Sequence, residues 1–230
     1  MTKEKIIMSW SGGKDSSMAL HKLLLDDKYE VNYLLTTIYK PNKRVSMHGV
    51  PEELIKEQAK AIGIPLKIIY IEEKTHEEYE IKMRAFLEEM KTEGINKVAF
   101  GDIFLEDLKK YREDKLKEVD MEAIFPLWKI KTTEMAQYFI DNHFKTHVCA
   151  IDNSKIPTHL IATDYNQSFL DSLPVNVDPC GENGEFHTFC YDGPIFKNSV
   201  KFKVNAPTLK TYEHDGKTYE YTFSDLESVI

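Results

Sequence analysis

Residues 5–25, KIIMSWSGGKDSSMALHKLLL, decide how the rest of the chain is read. Ile6 to Trp10 is apolar and strand-length, and a tight turn follows at Gly12 and Gly13. Ser16, Ser17, Met18, Ala19, Leu20, Leu23 and Leu24 then open an amphipathic helix, with His21, Lys22 and Asp26 on its other face. Strand, glycine turn and helix in that order aim unpaired backbone N–H groups and the positive end of a helix dipole at an anion. Paired glycines let the main chain approach a polyphosphate with no Cβ in the way. Ser11, Ser16 and Ser17 add hydroxyls, Lys14 a cation, and Asp15 a carboxylate for a magnesium ion. The kinase-type phosphate loop is excluded: it needs glycine where Met8 stands, and Ser or Thr after the lysine where Asp15 stands. The plainer alternative is a serine-capped helix start.

Downstream, strand patterns at 31–39, 66–71, 97–101 and 123–127 alternate with helix patterns at 51–62, 77–93 and 105–119. The first of these helices opens on Pro51 and acidic residues and stops at Gly63. This alternation predicts an α/β fold, a parallel sheet with helices on both faces. In strand order 3-2-1-4-5 the ligand crevice falls between strands one and four, where the glycine turn meets Gly101-Asp102-Ile103. Asp102 then holds a metal or a substrate amine, or else caps the next helix. From residue 129 the character changes: a helix at 132–143, a strand at 146–151, loops around Pro157, Pro174 and Pro179, a helix at 164–173, and strand-like residues 186–223 with a hairpin signal at Asp215-Gly216. A boundary near Trp128 divides the chain into a nucleotide-binding domain, 1–128, and a smaller α+β domain, 129–230.

The 230 residues supply enough core for one large domain or two small ones. A net charge of −8 argues against bulk electrostatic binding of nucleic acid, though not against a local basic groove. Cys149, Cys180 and Cys190 form no CxxC pair and, being three, cannot all pair within one chain, which points to free thiols in a reducing compartment. No signal peptide or membrane span is read, so a cytoplasmic location is expected.

Asp178-Pro179-Cys180-Gly181-Glu182-Asn183-Gly184-Glu185-Phe186-His187-Thr188 is the second dense cluster. Its glycines and Asn-Gly step form an irregular turn. Its carboxylates bind an ammonium, orient an amine or hold a metal, or else are solvated acids of a polar hairpin. The segment Ser11 to Ser16 resembles the pyrophosphate-binding loop of the ATP pyrophosphatase (PP-loop) enzymes, which split ATP between the α and β phosphates. Combined with Ser46-Met47-His48-Gly49-Val50, Gly101-Asp102, Tyr111-Arg112-Glu113, Pro126-Leu127-Trp128 and the Gly181 to Thr188 motif, it resembles the diphthine–ammonia ligase family over residues 9–196.

The resemblance implies a HUP-type, Rossmann-like nucleotide-binding domain, a family-specific domain, and a substrate cleft between them. It implies amidation of the carboxylate of diphthine, a modified histidine of elongation factor two, with ATP, Mg2+ and ammonia from solution. Ser9, Ser11, Gly12, Gly13, Lys14, Asp15, Ser16 and Gly101 would hold the nucleotide, with Thr36 and Thr37 near adenine. Asp102, Arg112, Glu182, Asn183, Glu185, His187 and Thr188 would line the acceptor pocket, with His48 there or packed in its loop. Lys14, Asp15, Asp102, Glu182 and Glu185 would carry the catalysis, Asp15 as metal ligand. Two departures stand out: His187-Thr188 replaces the Glu-Thr of the eukaryotic enzymes, placing the chain with the microbial branch. Ala162-Thr163-Asp164 replaces an expected Leu-Gly-Arg, removing a basic pocket residue. In a bacterial member the acceptor would be something other than diphthine. The rival activities are thiolation, for which Cys180 is the sole candidate thiol, and ATP sensing without turnover on the same HUP scaffold.

Overall fold

Ile6 and Met8 turn to one side of the first strand and Ile7 to the other, and all three are fully buried, so this strand carries layers on both faces. The computed structural model describes residues 2–46, 48–73, 75–214 and 217–229. Its first half runs β1 (Glu4–Ser9), α1 (Lys14–Leu25), β2 (Tyr29–Tyr39), β3 (Arg44–Val45), α2 (Glu52–Ile62), β4 (Leu66–Ile71), α3 (His76–Thr92), β5 (Lys97–Ala99), α4 (Glu106–Lys117) and β6 (Glu122–Ile124). The second half runs α5 (Thr132–Asp141), β7 (Lys145–Asp152), a 3-10 turn, α6 (Gln167–Ser172), β8 (Phe186–Asp192), β9 (Phe202–His214) and β10 (Lys217–Ser228).

Five parallel strands form the first sheet in the spatial order β4-β2-β1-β5-β6. This is the 3-2-1-4-5 order expected from the alternation, because the sequence pattern lacks only β3. That two-residue strand pairs antiparallel with Ile38 and Tyr39, where β2 runs on past the end of β1. It is too short to leave a periodic signal. One core cluster joins Ile6, Met8, Leu34 and Ile38 to α1 and α2, and continues into α5, β7 and β8. The other joins Ile7, Leu35 and Val98 to α3 and to Leu116 of α4. Leu24, expected on the buried face of α1, is exposed.

The second sheet is antiparallel, β8-β7-β10-β9, and packs on the α1 side of the first. The expected hairpin turn at Asp215-Gly216 lies outside the described residues; the strands flanking it pair antiparallel. The boundary expected near Trp128 falls on the turn between β6 and α5. No helix among the described residues is long and apolar enough to cross a membrane.

Candidate active site

β1 ends at Ser9, and the chain bends at Gly12, whose φ of +79° lies in the left-handed region that glycine tolerates best. A Cβ on Gly12 would stand 2.6 Å from Gln58 Oε1, and one on Gly13 2.9 Å from the Thr188 carbonyl oxygen, so both positions are crowded down to glycine. The Gly12 carbonyl accepts from Gln58 Nε2 at 2.9 Å and from the Cys190 N–H at 2.8 Å. Gln58, fully buried in α2, also accepts from Trp10 Nε1 and donates to the Cys190 carbonyl. The sequence reading passed over this residue: a glutamine at mid-helix looks solvated, and nothing local marks it as the brace of the glycine turn.

At the start of α1 the Lys14 N–H donates to Thr188 Oγ1 at 3.0 Å, while the N–H groups of Asp15 and Ser16 have no acceptor among the described residues. These two open donors are the helix-end groups an anion satisfies. Lys14 is buried, and its ammonium bridges both carboxylate oxygens of Asp15 at 2.7 and 2.8 Å. Burial works against that ammonium, but Asp15, then Cys180 and Glu182, hold its pKa above the usual lysine value.

The cleft over this helix end has a volume of about 710 Å³. Opposite the glycine turn, Arg112 Nε approaches Asp102 Oδ2 to 2.7 Å without the alignment of a hydrogen bond, and Nη2 donates to Oδ1 at 3.3 Å. The guanidinium lies 4.2 Å over the Phe100 ring. Burial pushes the Asp102 carboxyl up, with Arg112 pulling it back. Glu182 Oε1 accepts from the N–H groups of Phe104 at 2.8 Å and Ile103 at 3.3 Å, tying the turn before β8 to the loop after β5. Its carboxyl is also pushed up by burial, against those two donors.

Of the residues expected at the site, Ser9, Ser11, Lys14, Asp15, Ser16, His48, Gly101, Asp102, Arg112, Glu182, Asn183, His187 and Thr188 all line this cleft, while Gly12 and Gly13 are buried in the turn between Ser11 and Lys14 and do not line it. Two expected contacts are corrected. Glu185 is buried beneath the turn, where it accepts from Asn183 N and Nδ2 and from Asp178 N, so it shapes the turn and does not face the cleft. Thr36 is buried, with its hydroxyl on the Trp10 carbonyl at 2.7 Å. Its neighbour Thr37 opens on the opposite face of the sheet, into an apolar cavity of about 350 Å³ between α3 and α4 that shares Ser9, Phe100 and Arg112 with the cleft. Asp164, where a basic pocket residue was expected, accepts from Tyr191 Oη and does not line the cleft.

Two family profiles match the chain: Diphthamide synthase N-terminal domain over residues 4–124 and Diphthamide synthase C-terminal domain over residues 131–220. The chain belongs to the diphthamide synthase family. With the Ser11 to Ser16 loop in place, membership makes it an ATP-using enzyme of the PP-loop type. A search of curated proteins finds no match. Among solved structures it is similar to a predicted subunit of tRNA methyltransferase from Methanocaldococcus jannaschii (19% identity, 64% of this chain and 79% of that one, TM-score 0.41). It is also similar to the U34-tRNA thiolase NcsA from Methanococcus maripaludis, solved with its 4Fe-4S cluster (19% identity, 58% of this chain and 55% of that one, TM-score 0.36). For this diphthamide synthase family member the cysteines set a chemical limit. All three are free and buried, and burial pushes the Cys180 thiol up to about 12, far from a reactive thiolate.

Proposed function

We propose that the protein activates a carboxylate by adenylation, with release of AMP and pyrophosphate, and then amidates it with ammonia; the diphthine residue of elongation factor two is the acceptor the family resemblance implies. The observation that carries this reading is the helix end at Lys14. Two backbone donors, a buried ammonium and the Ser11 and Ser16 hydroxyls converge there on one side of a cleft, with Arg112 opposite.

A carboxylate resists attack by ammonia because an oxide would have to leave. ATP supplies an α phosphorus that the acceptor carboxylate can attack, giving a mixed anhydride with a good leaving group. The open N–H groups of Asp15 and Ser16, with Lys14, neutralise the departing pyrophosphate, a preorganised arrangement that needs no rearrangement as charge develops. Arg112 turns from Asp102 to hold the acceptor carboxylate in line. The adenine ring would lie beside Thr37 and Phe100, which line the apolar cavity.

Among the described residues no group of three or more His, Cys, Asp or Glu side chains could hold a metal. A magnesium ion would therefore rest on Asp15 together with phosphate oxygens and water, the sparse protein ligation this ion accepts. Incubation with magnesium-ATP and diphthine-bearing elongation factor two tests the reading. AMP and pyrophosphate formed only with acceptor support it; orthophosphate, or no turnover, overturns it.

A further inference from the structure

The activation step leaves the two cleft histidines unused. The rings of His48 and His187 lie side by side, centroids 4.7 Å apart, directly over the glycine turn: a Cβ on Gly13 would stand 2.8 Å from His48 Cε1. His48 Nδ1 is 3.1 Å from the Thr188 carbonyl oxygen. A carbonyl only accepts, so this contact places the proton on Nδ1 and leaves the lone pair on Nε2. That lone pair has no hydrogen-bond partner among the described residues, and His48 lines the cleft. His187 also lines it, and its buried Nε2 has no partner either.

The titratable groups facing His48 are Lys14, Asp15 and His187. Burial lowers the His48 pKa, with Lys14 adding to it and the Thr188 carbonyl and Asp15 opposing. Burial, His48 and Lys14 take His187 well below the usual histidine value.

Of the two half-reactions, only amidation must shed a proton. As ammonia nitrogen bonds to the activated carboxyl carbon, the bond from that carbon to the phosphate oxygen breaks and its electron pair leaves with AMP. The nitrogen must lose one proton to end as a neutral amide. We propose that His48 Nε2 takes this proton, with His187 packed against it as a positioning residue that holds the ring over the glycine turn. The inference rests on the ligase reading above and assigns the ammonia-handling side of the same cleft.

His48→Asn tests it, because the asparagine amide keeps an N–H near the position of Nδ1 for the Thr188 carbonyl and has no basic nitrogen. The acceptor is diphthine-bearing elongation factor two, and the nucleophiles are ammonium chloride and hydroxylamine. Hydroxylamine is a far weaker base that needs little help to shed its proton. Exchange of labelled pyrophosphate into ATP reads activation alone. The expected result is ammonia-dependent amide formation down by about a hundredfold or more relative to hydroxamate formation, the usual scale for a lost general base, with exchange reading any accompanying change in activation. An unchanged ammonia rate, or ammonia and hydroxylamine rates falling together, overturns the assignment while leaving the ligase reading intact. A wild-type protein that performs neither exchange nor hydroxamate formation overturns both.

Discussion

Gln58→Leu removes the brace of the glycine turn without disturbing the helix that carries it, since leucine is as good a helix former as glutamine and has a similar volume. Three hydrogen bonds are lost: from Trp10 Nε1, to the Gly12 carbonyl and to the Cys190 carbonyl. The Gly12 carbonyl keeps the Cys190 N–H, so two buried groups are left without partners, the indole N–H and the Cys190 carbonyl. Each costs about 1–3 kcal/mol, a combined loss of roughly 2–6 kcal/mol. For a chain of this size each kcal/mol moves Tm by about 2–4 °C, so a fall of roughly 4–24 °C is expected.

Thermal unfolding followed by near-UV circular dichroism measures this. A double-mutant cycle sharpens it: Trp10→Phe in the Gln58→Leu background removes the orphaned indole donor. The double variant should then lose about 1–3 kcal/mol less than the sum of the singles. A Gln58→Leu protein melting within about a degree of wild type, or strictly additive losses, would refute the claim that this buried amide holds the turn in shape.

Lys14→Ala and Asp15→Ala should each lower ATP turnover by about a hundred- to thousand-fold while the protein stays folded, the scale of removing one preorganised charge-stabilising group; near wild-type rates in either would show that the phosphates bind elsewhere. Glu78, at the start of α3, accepts from the Glu72 and Glu73 N–H groups and pairs with Lys82, and its carboxyl is pulled down to about 2, first by Lys82 and then by those donors against some desolvation. A depressed carboxyl contributes stability above its unfolded-state pKa and loses it as pH falls through the folded one. The Tm gap between wild type and Glu78→Gln should therefore be widest above pH ~5 and close toward pH ~2, and a gap constant with pH would contradict it. Cys180, with its thiol pushed up to about 12, should resist iodoacetamide at pH ~8 in the folded protein and react once it is unfolded in denaturant; rapid alkylation of the folded protein would remove the argument against thiol chemistry.

The parallel sheet was legible because its strands differ from its helices in period and because α2 ends on a stop signal of its own, Gly63 with φ +86°. The glycine turn was legible because it depends on residue types that tolerate crowding and a left-handed backbone. Burial of individual polar side chains was not. Glu182 and Glu185 stand three residues apart in one turn and read alike, yet one faces the cleft and the other is folded under it. Thr36 and Thr37 are adjacent strand residues, and the alternation of side chains sends them to opposite faces of the sheet, a distinction that needs the register rather than the motif. Gln58 was invisible for the same reason: its partners lie 46, 48 and 132 residues away in sequence.

Those long-range partners bear on how the site works. The glycine turn belongs to the first sheet, but its shape depends on the strand that follows the second motif. Cys190 donates to the Gly12 carbonyl, Thr188 accepts from Lys14 at the helix end, and Gln58 bridges Gly12 to the Cys190 carbonyl. Glu182 adds a fourth tether, to the loop after β5. The segment 181–188, which lines the cleft, is therefore tied directly to the end of α1 that carries the open donors. Thr188, a β8 residue paired with Val148 of β7, holds one of the three leading N–H groups of α1 through its Oγ1, so the helix end leaves an anion two open donors. On the proposed ligase reading, an acceptor seated against residues 181–188 would reach the pyrophosphate-binding donors through these tethers, which would couple activation to the presence of the group to be activated.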